Sequence, residues 1–154
     1  MSVAEYVGRT VDIAAFQGMT LREKVLLRQA LADPGLGGTI VTGIAKLGQR
    51  FLLELLTERG SMLYKERRGS TFMLEARRGS IRTQADLMAA FSRALLDVSR
   101  SLAAEEQETD AADERFGDAE IINVALFSGR AVVYVRVSSQ DPQARVILPV
   151  AYVF

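Results

Sequence analysis

Hydrolysis of a glycosidic bond needs two carboxyl groups, one on either side of the bond, and two candidate pairs exist here: Glu105 with Glu106, and Asp113 with Glu114. A carboxyl that gives up a proton near neutrality also needs an apolar pocket to raise its pKa. Both pairs lie in an acid-crowded stretch, and the chain has no tryptophan to line a sugar site. The other common tools are absent. With no histidine and no cysteine, imidazole acid–base chemistry, thiol nucleophiles, disulfides, haem ligation and imidazole or thiolate metal sites all lack their residues. Gly35, Gly37 and Gly38 are not followed by Gly-Lys-Ser/Thr and no clear strand precedes them, so they read as a turn and not as a phosphate loop. The side chains therefore predict a protein that is not an enzyme, with no catalytic residues, no cofactor and no metal.

Charge offers more. Lys+Arg and Asp+Glu both number 19, yet the charges are segregated: residues 59–82 carry a net +5, including Arg67, Arg68, Arg77 and Arg78, and residues 105–120 carry −7, including Asp113 and Glu114 beside Arg115. Both stretches can be read as solvated loops. The alternative reading is that opposite patches orient neighbouring subunits, a task suited to arginine, whose planar fork binds carboxylates bidentately. No aromatic ladder accompanies the arginines and the acid run would repel phosphates, so nucleic acid is not an expected partner.

The 154 residues, 49% hydrophobic and 25% charged with mean hydropathy +0.11, suit one ordinary globular domain. No apolar run approaches the roughly 20 residues of a membrane-spanning helix, and MSVAEYVGRT has neither a basic nor an apolar leader region, so synthesis and retention in cytoplasm are expected, without a membrane partner. Zero net charge at this apolar content gives little self-repulsion, which predicts that the chain lives bound to something.

Thr20 to Glu23 reads as a capping box opening a short helix over residues 21–32. From Gly43, the residues Ile44, Leu47, Phe51, Leu52, Leu55 and Leu56 recur at steps of three and four and predict an amphipathic helix ending near Gly60. Residues 61–80 read as a loop with one or two short extended pieces. Thr83 with Asp86 repeats the capping signal before a longer amphipathic helix that runs to about Ala104. Beyond an acidic, turn-rich stretch at 105–118 the period falls to two, giving three β-rich runs: Ile121 to Phe127, Ala131 to Val137, and Val146 to Tyr152. The expected class is α+β, with N-terminal helices packed on a small C-terminal antiparallel three-stranded sheet.

The last run, Val146, Ile147, Leu148, Pro149, Val150, Ala151, Tyr152, Val153 and Phe154, is almost wholly apolar. Pro149 cannot donate to a ladder, which places this strand at an edge or bends it there. Its alternate side chains either pack under the helices or, with Val146, Leu148, Val150, Tyr152 and Phe154 as candidates, form an edge to which another chain adds a strand.

The run Lys46-Leu47-Gly48-Gln49-Arg50-Phe51-Leu52-Leu53-Glu54-Leu55-Leu56-Thr57-Glu58-Arg59-Gly60-Ser61, followed by Gly69, a long helix, a charged motif and a terminal sheet, resembles the small wedge protein of contractile bacteriophage tail baseplates. That family was long labelled lysozyme-like and is also known as the sheath initiator. Leu56-Thr57-Glu58-Arg59-Gly60-Ser61 matches its helix-ending turn. Asp113-Glu114-Arg115-Phe116 falls where the family has Glu-Pro-Arg, without the proline. The resemblance covers residues 43–154 and leaves residues 1–42 as an extension with a short helix. It implies a sheath-assembly-like sheet and a virion component in a sixfold ring around the tail tube. The implied partners are other baseplate wedge proteins, the tail sheath protein, and tube or hub proteins, with C-terminal strand exchange starting sheath polymerisation. A peptidoglycan-degrading tail lysozyme and an adaptor outside any phage are the alternatives.

Overall fold

In the computed structural model, which describes residues 9–13, 40–127 and 130–153, the first long helix is α1 (Gly43–Leu56), preceded by two short antiparallel strands, β1 (Asp12–Ile13) and β2 (Ile40–Val41). The capping box at Thr20, the helix expected over 21–32 and the turn at Gly35 lie outside the described residues. The apolar stripe of α1 is the predicted one: Leu47, Phe51 and Leu52 are fully buried and Leu55 nearly so. The helix stops at Thr57, whose extended backbone returns its N–H to the Leu53 carbonyl.

The chain then departs from the expected loop. Glu58 and Ser70 form a parallel bridge, in which Arg59 N–H donates to the Ser70 carbonyl (3.0 Å) and Ser70 N–H to the Thr57 carbonyl (2.9 Å). Gly69 makes this crossing possible. Its φ is +86°, and a Cβ there would lie 2.4 Å from the Thr57 carbonyl oxygen. The residues Phe72, Met73 and Leu74, expected in an extended piece, open a helix instead, α2 (Phe72–Arg77). Ser70 Oγ accepts the Phe72 N–H and donates to the Leu55 carbonyl, so the helix start is tied to the end of α1. Six residues are too few for helical periodicity to stand out from a strand pattern.

The second predicted helix is α3 (Gln84–Glu105), opened by the capping box read from sequence: Thr83 Oγ1 accepts from Asp86 N–H (3.1 Å) and the Asp86 carboxylate from Thr83 N–H (2.9 Å). After a 3₁₀ turn, Ala112–Glu114, three strands follow: β3 (Phe116–Phe127), β4 (Arg130–Ser139) and β5 (Arg145–Val153). They form an antiparallel sheet in the order β3-β4-β5. β3 begins inside the stretch read as acidic turn. Two register shifts, between Phe116 and Asp118 and between Ile121 and Asn123, mark bulges in it. The second resets the alternation, so Ile121 and Val124 both pack on the core while Ile122 faces out.

The fold is α+β, with N-terminal helices on one face of the sheet. Val133, Val135 and Val137 of β4 and Val146, Leu148 and Val150 of β5 meet the buried faces of α1 and α3 in one core. Phe51 stacks on Phe116 with ring centroids 6.1 Å apart and planes 11° apart.

Candidate functional site

The N-terminus of α1 has no acid in its first turn and no side-chain bond from Thr42 to its own amides. Its missing acceptor comes from the far side of the sequence. Glu114, 2% exposed, accepts from the Gly43 N–H (3.2 Å), the Thr42 hydroxyl (2.7 Å), the Lys46 ammonium (3.2 Å) and the Thr10 hydroxyl. Burial pushes the Glu114 carboxyl up, but these donors outweigh it and hold the group at about 2. Beside it Asp113 meets Arg9 at 2.6 Å, and Gln49 Nε2 donates to Asp12 Oδ2 (2.8 Å) and the Ile13 carbonyl (2.9 Å). Residues 9–13 are thereby fastened to the helical layer. Glu114 was expected at an interface between chains; it is consumed inside this one. The signal that could have located it is the helix start at Thr42-Gly43 without a local acid.

Arg115, next along, donates nothing from its buried Nε to any described residue, while its carbonyl accepts from Gln140 N–H (3.0 Å). Glu106 accepts the Phe116 N–H at 2.7 Å, and burial holds its carboxyl above the ordinary range.

The two charged stretches meet at Glu105, and the other paired cations of residues 59–82 find acids elsewhere in the chain. Arg68 pairs with the nearly buried Glu54 and, at 3.2 Å, with Glu105; Lys65 also reaches Glu105 at 3.2 Å; Arg59 meets Asp97 at 2.6 Å; Arg77 pairs with Glu58. Burial raises Glu54, but the Gly69 N–H, the Ser101 hydroxyl and Arg68 together bring it below the ordinary carboxyl range. Arg68 and Arg77 are thus engaged internally, Arg68 by the loop after α1 folding back toward Glu105 at the end of α3 and Arg77 by α2 lying beside Glu58. Among the described residues Arg67 and Arg78 form no ion pair. Arg67 lines a cleft of about 780 Å³ between that loop and α3, with Arg100 opposite and Leu63 and Tyr64, 89% and 98% exposed, at its lip.

The terminal strand divides its roles. The side chains of Val146, Leu148 and Val150 were candidates for contact with a partner, but they lie in the core under the helices. Tyr152 enters the ladder opposite Ala131, and Phe154 lies outside the described residues. Among the described residues β5 is paired along one side, with β4, and its other backbone margin has no strand beside it. Pro149 stands opposite Tyr134 in this margin strand, where a missing N–H is tolerated. The two margins differ. β3 presents two bulges and the exposed acids Asp118 and Glu120, which discourage a further strand, whereas β5 has no charged residue between Arg145 and Val153.

Among the described residues no group of three or more acidic, histidine or cysteine side chains is placed to hold a metal, and no helix is long and apolar enough to cross a membrane. Compared with protein-family models, curated proteins and solved structures, the chain matches none.

Proposed function

We propose that this chain is a structural, non-enzymatic subunit of a contractile tail baseplate, in the inner wedge ring around the tube, and that it starts sheath polymerisation by accepting a strand at β5. The observation that carries the reading is the asymmetry of the sheet: one margin guarded by bulges and acids, the other uncharged and, among the described residues, unpaired. The Leu56-Thr57-Glu58-Arg59-Gly60-Ser61 turn supports the family assignment, and its local role is clear, since it closes α1 and carries the chain to the Glu58–Ser70 bridge. Three of the four carboxylates considered for hydrolysis are ion-paired, Glu105 with Lys65 and Arg68, Asp113 with Arg9 and Glu114 with Lys46, whereas Glu106 accepts the Phe116 N–H and is held by burial above the ordinary range. Glu114 is held ionised by its donors, its carboxyl at about 2, so it is no proton donor near neutrality.

Removing β5 is not a usable test, because it would take Val146, Leu148 and Val150 out of the core. The double variant Ile147→Lys/Ala151→Lys instead charges two exposed positions of the margin strand. In a complementation assay imaged by electron microscopy, the expected result is folded protein, assembled baseplates and bare tubes without sheath. Sheathed particles from this variant, or a wild-type chain found away from the tube–sheath junction, would refute the reading.

A further inference from the structure

In the loop that walls the cleft against α3, Lys65 N–H donates to the Met62 carbonyl (3.2 Å) and Arg68 N–H to the Lys65 carbonyl (2.9 Å), so two successive turns shape it. The tip of a turn ordinarily holds Gly, Pro, Asn, Asp or Ser. Here the first tip is Leu63 and Tyr64, 89% and 98% exposed, and the second is Glu66 and Arg67, both exposed. Three ion pairs tie the loop to α3: Arg59 with Asp97 at 2.6 Å, and Lys65 and Arg68 with Glu105 at 3.2 Å each. Even so, the cleft keeps a surplus of positive charge, since five cations and three acids line it. Arg67 from the loop and Arg100 from α3 are exposed and, among the described residues, form no ion pair.

We infer that this cleft binds an acidic segment of another polypeptide, whose carboxylates engage Arg67 and Arg100 while an aliphatic or aromatic side chain of the same segment lies on Leu63 and Tyr64. The inference uses no residue of β5 and does not rest on the function proposed above. A guanidinium takes a carboxylate through two parallel N–H bonds, and arginine and tyrosine are the residues on which protein contacts most often depend. A wholly apolar segment would leave the two guanidinium groups unanswered. A polynucleotide fits less well, because Glu66, Asp97 and Glu105 line the same space and would repel a continuous run of phosphates, and a lone tyrosine offers no series of stacking surfaces. A peptide can place its carboxylates singly and leave its apolar residue for the turn tip.

The test uses the full chain and three capped peptides titrated by NMR: Glu-Asp-Leu-Asp-Glu, its uncharged counterpart Gln-Asn-Leu-Asn-Gln, and Glu-Asp-Ser-Asp-Glu. The first should move the amide signals of residues 63–68 and 97–104 and bind roughly tenfold more tightly than the uncharged peptide at low ionic strength, with the serine peptide in between. Arg67→Ala/Arg100→Ala changes two exposed side chains, so it should leave the melting temperature in place while removing most of the preference for acid and flattening the salt dependence. Tyr64→Ser should remove the preference for leucine over serine and keep the salt dependence. Arg78→Ala, an exposed cation outside the cleft, should leave binding within about twofold. Equal binding of the charged and uncharged peptides, no binding of either, or an equal loss with Arg78→Ala would overturn the inference. So would tighter binding of a thymidine oligonucleotide, which would make nucleic acid the occupant, or self-association abolished by Arg67→Ala/Arg100→Ala, which would make it a second copy.

Discussion

Glu114 governs the chemistry of single residues here, since one carboxylate serves a helix N-terminus, two hydroxyls and an ammonium group at once. Glu114→Gln keeps the shape but removes the charge, leaving Lys46 beside a neutral group. A loss of roughly 3 kcal/mol in unfolding free energy is expected, read from the urea midpoint. The pH dependence has a definite sign. The folded-state pKa, about 2, lies below the ordinary 4.5, so this contribution is fully present above about pH 4.5 and is lost as the pH falls from there toward 2. Wild type should therefore lose its advantage over Glu114→Gln across that acid window, and a difference that stays constant would contradict the assignment. Glu106 acts in the opposite sense: its carboxyl is held above the ordinary range, so its ionisation works against the fold as pH rises through that range. Gly69→Ala places a methyl group on the Thr57 carbonyl at positive φ; the measurable outcome is a fall in melting temperature of several degrees, roughly 2 kcal/mol or more.

The elements were legible wherever a period had room to repeat. α1 and α3, the capping box at Thr83 and the three strands all follow from apolar spacing, because each runs for nine or more residues against a single core. α2 was not legible, since six residues give helix and strand the same apolar signature, and its start is fixed by Ser70 bonding back to Leu55. The margin status of β5 was readable from Pro149. The destination of its side chains was not, because an apolar strand looks alike whether its alternate residues are covered by helices or by a partner. The Glu114 site stayed hidden for a related reason: an acid-rich stretch does not reveal which carboxylate faces a helix start. Phe51 joins two elements, packing α1 while stacking on Phe116 at the head of β3. Phe51→Ala should cost about 3–5 kcal/mol in equilibrium unfolding, and a smaller loss would mean that the helix–sheet seam closes over the gap.

At the scale of the whole molecule, balanced charge and a sequence pI near 6.3 leave colloidal behaviour to the two sheet margins. Ile147→Lys on β5 should slow aggregation of the isolated protein on mild warming, followed by light scattering, whereas Ile122→Lys on the already guarded β3 should do little; equal effects would mean that the margins are equivalent. Of the opposed charge stretches, Lys65 and Arg68 meet Glu105 and Arg59 meets Asp97, which braces the loop after α1 against α3. The fastening of residues 9–13 to Glu114 also has a kinetic side. Thr10 and Glu114 are 104 positions apart, so their meeting closes a very long loop and is expected to follow the collapse of the helices and sheet. Loosening that latch should leave the refolding rate almost untouched and hasten escape from the native state, so the pair acts as a brake on unfolding and has little part in guiding assembly of the fold.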